Sequence, residues 1–294
     1  MRHTVKNSGF TLVEVLVVAP IVILSIGAFI AVVIALTGNT MASRGATLMQ
    51  YSIQDALERI EQDTRLSSRF LSVNDISLSA TNPQGYVNDQ ESTPNSGSTV
   101  NFTNIDKTAT GGSTAALVIR QPAVDSNPLK NAANSPVKLI YLINTPANCS
   151  GDYKQNTLMY TNIVYFVANN SLWRRVITPT NYATPSSFCG ATEIYQRPSC
   201  APSTSHTYCR TEDSKLVSDV AMADFNVDYW TNTDTDTAAN KITAAKEASS
   251  TDSVRNTALE AATTITVNIK AKGSFAGRDV EQSGSVKSVL LNRL

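Results

Sequence analysis

Histidine is almost missing from this chain of 294 residues: there are two, His3 and His206. A histidine-based hydrolase needs an imidazole held in rigid geometry by a second and a third group. His206 instead lies in a Pro/Ser/Thr-rich loop between Cys200 and Cys209, and His3 falls in the first nine residues. No Gly-x-Gly-x-x-Gly, Walker loop or His-Glu-x-x-His is present either, which excludes the common phosphate cradles and zinc-protease helices. No catalytic residue can be named, and the reading is of a non-enzyme. An excess of one charge is also lacking, since Lys plus Arg and Asp plus Glu each number 24. That balance argues against nucleic acid as a partner, because a general nucleic-acid footprint is basic. The one basic–aromatic cluster, Trp173-Arg174-Arg175, reads as an exposed strand end. Cysteine is sparse, with four residues and no Cys-x-x-Cys spacing, which favours disulfides over zinc. Of three possible pairings, the one preferred joins Cys200 to Cys209 and leaves Cys149 with Cys189.

What the chain does have is one long apolar run. From Phe10 to Leu36 the only formally charged side chain is Glu14. As a helix this run rises about 40 Å, against a hydrocarbon core of about 30 Å, so it can span a membrane. A cleavable secretory signal would end in a small-residue site, and none lies between Leu36 and the polar region. Arg2 and Lys6 precede the run and the first cation after it is Arg44, so the positive-inside bias places the N-terminus in the cytoplasm and residues beyond about 38 outside. A carboxylate at the edge of such a span costs roughly 2–3 kcal/mol, and Glu14 therefore calls for a purpose.

The leader Met-Arg-His-Thr-Val-Lys-Asn-Ser-Gly runs directly into Phe10-Thr11-Leu12-Val13-Glu14-Val15-Leu16. A basic leader, Gly9, an aromatic Phe10 and a lone Glu14 in an apolar stretch together resemble the class III signal of type IV prepilins and pseudopilins. The resemblance implies cleavage between Gly9 and Phe10 by the prepilin peptidase and N-methylation of the new Phe10 amine. It further implies that Glu14 meets the amine of a neighbouring subunit and sets the axial register. Pro20 departs from the usual pattern, since a proline there removes a helical hydrogen bond and is expected to kink the helix.

The organisation expected is a leader over 1–9, a transmembrane and assembly helix over 10–37, an amphipathic continuation over 38–68 and an extracytoplasmic β-rich head over 69–294. Met49, Ile53, Leu57 and Ile60 recur at helical spacing, with Asp55–Arg59 and Glu61–Arg65 as i,i+4 pairs. Residues 72–113 are rich in Ser, Thr, Asn and Gly and read as loop. Strands are expected over Ala115–Arg120, Val137–Ile143, Ile163–Val167, Leu172–Ile177, Phe225–Trp230, Thr264–Lys270 and Val286–Leu291, the last closing the sheet, with a hairpin link at Asn169-Asn170-Ser171. The fold class is α+β. The order of elements, with one strand running from Val217 to Trp230, looks like the larger minor pilins and J-type pseudopilins, whose partners are other pilin subunits, the prepilin peptidase and the membrane platform of the assembly machine. A head of over 200 residues suits a low-copy subunit near a filament tip. The competing expectation is a membrane-anchored surface adhesin that never polymerises, which would need neither Gly9 nor Glu14. Asn232, Asp234 and Asp236 are a partial match to a calcium loop, lacking its Gly and distal Glu; a solvated loop is the preferred reading, and no other cofactor is expected.

Overall fold

The structure, a computed structural model, describes residues 11–76, 116–128, 137–142, 157–179, 188–189, 194–202, 209–231, 238–246 and 250–291. It is α+β, with one long N-terminal apolar helix and mainly antiparallel sheets. Two compact units are present: residues 1–48 with 273–280, and residues 49–272 with 281–294.

Helix α1 runs from Leu12 to Arg65 over 54 residues and continues through Pro20 without interruption. Proline supplies no N–H to the turn before it, but the flanking bonds carry the helix across. Ser25, Thr37 and Thr40 each donate their hydroxyl to the carbonyl four residues earlier, at 2.8, 2.8 and 2.9 Å, so the hydroxyls in this apolar stretch find acceptors within the helix. In the first unit, the ring of Phe275 lies against Gly45, where a Cβ would come within 2.5 Å of it. In the second unit Met49, Ile53, Ala56, Leu57 and Ile60 are buried, as their helical spacing requires. Of the two ion pairs expected on this stretch, Glu61–Arg65 forms at 2.5 Å, whereas Arg59 turns to Asp63 at 3.9 Å.

The strands are β1 (Arg69–Leu71), β2 (Ala116–Pro122), β3 (Tyr141–Leu142), β4 (Thr157–Leu158), β5 (Tyr160–Ala168), β6 (Ser171–Ile177) and β7 (Phe188–Cys189). They continue with β8 (Ser199–Cys200), β9 (Thr211–Glu212), β10 (Ser214–Ser218), β11 (Phe225–Trp230), β12 (Thr264–Phe275) and β13 (Arg278–Val289). A five-stranded antiparallel sheet has the order β1-β2-β5-β6-β10. Residues Thr161 to Val167 of β5 are all buried, the pattern of a strand covered on both faces rather than one. The β5–β6 hairpin turns at Asn169 and Asn170, with φ of 50° and 51°, a two-residue turn whose left-handed pair asparagine tolerates.

Three sequence expectations are corrected here. Within the strand expected over Val137–Ile143, the described residues form a strand only at Tyr141–Leu142, with a bridge from Leu139 to Val124; Ile143 lies outside the described residues. The strand expected from Val217 to Trp230 is two strands in different sheets, separated by Asp219 at φ 60° and a 3-10 turn at Met222–Asp224. The C-terminal strands do not close the main sheet but form a second one, in the order β11-β12-β13. Helix α2 (Asp252–Leu259), capped by the Thr251 hydroxyl, was not anticipated.

Gly284 on β13 is required by close approach. A Cβ there would lie 2.6 Å from Ile53 Cγ2 and 2.8 Å from Leu57 Cδ1 on α1. Ile53 is β-branched and stiff, so Gly284→Val is expected to cost about 1–3 kcal/mol, read as a lowered Tm of the full chain in detergent.

Candidate functional site

Every large apolar side chain between Leu12 and Leu36 is exposed, Val33 the least at 44%. A stretch this long and apolar, with none of it buried in the chain's own fold, has the dimensions of a membrane span. The polar exception is Glu14, the third residue of α1. Its Oε2 accepts from the Thr11 N–H at 3.0 Å and from the Thr11 hydroxyl at 2.9 Å, while the Glu14 N–H donates to Thr11 Oγ1 at 3.3 Å. Thr11-x-x-Glu14 is thus a reciprocal capping box, in which each side chain satisfies a backbone donor that the first turn leaves over. The carboxylate is held at the positive end of the helix dipole. The Thr-x-x-Glu spacing is the sequence signal that marks this helix start. Gly9 and Phe10 lie outside the described residues.

The head presents two arginines that correct the sequence reading. Arg174 and Arg175 are adjacent on β6, so their side chains leave opposite faces of the sheet, and neither is an exposed strand end. Arg174 reaches α1: its Nε donates to Asp63 Oδ2 at 2.7 Å and its Nη2 to Oδ1 at 3.3 Å, in a pair with both side chains nearly buried. The Tyr165 hydroxyl donates to the same Oδ2 at 2.5 Å, and Gln121 Nε2 to the Asp63 carbonyl at 2.6 Å. Burial works against the Arg174 charge, but Asp63 outweighs it and holds the guanidinium above its ordinary pKa. Burial first, and then the Asp63 charge, push the Tyr165 phenol well above its usual value. Arg175, fully buried, donates from Nε and Nη2 to Asp213 at 3.0 and 2.6 Å. Both guanidiniums are thus committed to carboxylates inside the head.

A cleft of about 230 Å³ lies beside Asp63 and Arg174, lined also by Arg59, Gln62, Tyr195 and Arg197. A third cluster gathers Arg120 Nη1 at 3.0 Å and Arg69 Nη2 at 3.4 Å on Asp75 Oδ2, with Asn162 donating to Oδ1 at 2.9 Å. These contacts tie β1, β2 and β5 together, while Arg69 Nε, Arg120 Nε and Asn162 Oδ1 are buried without a hydrogen-bond partner among the described residues.

Cys200 and Cys209 form a disulfide with Cα atoms 5.7 Å apart. Cys189 is disulfide-bonded as well; Cys149, its expected partner, lies outside the described residues. So do Asn232, Asp234, Asp236 and His206. Among the described residues, no group of three His, Cys, Asp or Glu is placed to hold a metal ion.

Comparison with family models, with curated proteins and with solved structures finds no match to this chain.

Proposed function

We propose that the chain is a structural subunit of a type IV pilus or type II secretion-like filament, a minor pilin or pseudopilin with a type IV pilin fold. The observation that carries the reading is the unburied apolar stretch of α1 with a single carboxylate at its third position. A simple anchor gains only the helix cap from this acid, whereas a subunit that packs beside other helices can use its charge as well. In this reading the prepilin peptidase cuts between Gly9 and Phe10 on the cytoplasmic face, and the amine of Phe10 is methylated. The chain rests in the membrane as a single-pass protein with its head outside. The assembly platform then lifts it into the filament, where Glu14 leaves its own Thr11 to meet the amine of the adjoining subunit. That exchange replaces a capping interaction of about 1 kcal/mol with a charge pair in a low-dielectric helix bundle, where an unpaired carboxylate would be costly. A head of over 200 residues supports a place in low copy near the tip.

The test is the composition of filaments sheared or released from the cell. Peptides of this head are expected in that fraction at a small proportion of the major subunit, and to disappear from it when the assembly platform is deleted. Head peptides confined to the membrane fraction in both strains would instead indicate an adhesin that never polymerises.

A further inference from the structure

Arg175 occupies the middle of β6, between β5 and β10, with no exposed surface, and its guanidinium lies 5.2 Å from the centre of the Phe166 ring. The carboxylate facing it, Asp213, lies between the two-residue β9 and β10, whose Ser214 pairs with Arg174 of β6. Asp213 directly follows β9, and the Ser199 hydroxyl that donates to Asp213 Oδ1 at 2.9 Å belongs to β8. The same hydroxyl accepts from the Val176 N–H at 2.9 Å, so it joins Asp213 to the strand that carries Arg175. Strands β8 and β9 are two residues each and pair in parallel, too short to hold a register by themselves. The Cys200–Cys209 bond closes this segment one residue after Ser199 and four before Asp213, and the Asp213 N–H donates to the Cys200 carbonyl at 2.8 Å.

We propose that formation of the Cys200–Cys209 disulfide is the step that neutralises Arg175, making completion of the five-stranded sheet a redox-gated event. With both thiols reduced, the segment bearing Asp213 must find a buried position against its loop entropy, and until it does the guanidinium lacks this carboxylate in the core. Oxidation transfers two electrons from the thiols to an acceptor disulfide of a thiol oxidoreductase: two S–H bonds break, one S–S bond forms, and the acceptor leaves as a dithiol carrying the two protons. The charge pair then closes. The device keeps the head loose in a reducing compartment and sets it in an oxidising one. It concerns the head alone and stands or falls apart from filament assembly.

The test compares four full-length proteins in detergent by thermal melting: the native chain and Arg175→Met/Asp213→Asn, each with and without Cys200→Ser/Cys209→Ser. Loss of the disulfide is expected to lower Tm by roughly 15 °C in the native background and roughly half as much where the ion pair has been replaced. Equal shifts in the two backgrounds would reduce the disulfide to a simple loop closure and overturn the proposal. Should Cys200→Ser/Cys209→Ser show no cooperative transition, one must reappear when the ion pair is also replaced, and its continued absence overturns the proposal too. Hydrogen exchange over residues 171–177 of the native full chain gives a second reading. Protection there is expected to fall at least about tenfold once alkylation mapping shows Cys200 and Cys209 reduced by a dithiol, and unchanged protection counts against the proposal.

Discussion

Glu14→Ala is expected to leave the chain inserted in the membrane in normal amount and to reduce its recovery in the filament fraction by roughly a hundredfold. Insertion depends on the apolar stretch, which the substitution makes slightly more apolar. Assembly in the proposed filament depends on neutralising the amine at Phe10, and leaving one partner of a desolvated charge pair alone costs about 3 kcal/mol or more, which is over a hundredfold in an equilibrium. The capping box allows a control. Thr11→Ala removes the hydroxyl that Glu14 binds in the isolated chain and costs about 1 kcal/mol of helix start, but it leaves the carboxylate in place for a neighbour. Thr11→Ala is therefore expected to assemble nearly as well as the native chain, measured by quantitative immunoblotting of membrane and sheared-filament fractions. Equal loss in both variants would make Glu14 a helix cap and nothing more.

The second large effect belongs to Asp63. Asp63→Ala removes the carboxylate that receives Arg174 and Tyr165 together and leaves a nearly buried guanidinium without it. The expected cost is about 3–5 kcal/mol, seen as a Tm lower by roughly 10 °C in the full chain. Asp63→Ala combined with Arg174→Met is expected to recover about half of that loss, because the uncompensated charge goes with the arginine. Membrane insertion of both variants should be unchanged, since the effect lies in the docking of α1 on β5 and β6.

The contrast between these two sites explains how much was legible beforehand. Helix α1 could be read to within three residues of its end because its signals are local: an unbroken apolar run, then Met49, Ile53, Leu57 and Ile60 at a period of 3.6. The β5–β6 hairpin was legible for the same reason, from two β-branched runs flanking Asn169-Asn170. The arginines were not. Their partners lie 111 residues away at Asp63 and 38 away at Asp213, and no local pattern says that a charged pair within a strand will have both faces covered. A sharper reading was possible, since Val176-Ile177 after Arg175 and Leu172-Trp173 before Arg174 place the pair inside an apolar strand rather than at its end. The split of Val217–Trp230 was hidden because an aspartate at positive φ, Asp219, gives no warning as clear as Gly or Pro. At Glu14 the sequence carries both halves of the pattern, the isolated acid and the Thr11 three residues before it. The acid carries the proposed assembly chemistry, and Thr11 is what holds its carboxylate within the chain itself.

The central claim is that this apolar helix is the processed assembly segment of a filament subunit, and intact-mass and N-terminal peptide analysis of the chain extracted from membranes tests it most directly. The account predicts an N-methylated Phe10 as the first residue in cells that contain the prepilin peptidase, and an unprocessed chain beginning at Met1 in cells that lack it. A chain that starts at Met1 in both, or one whose processing is indifferent to the peptidase, would contradict it.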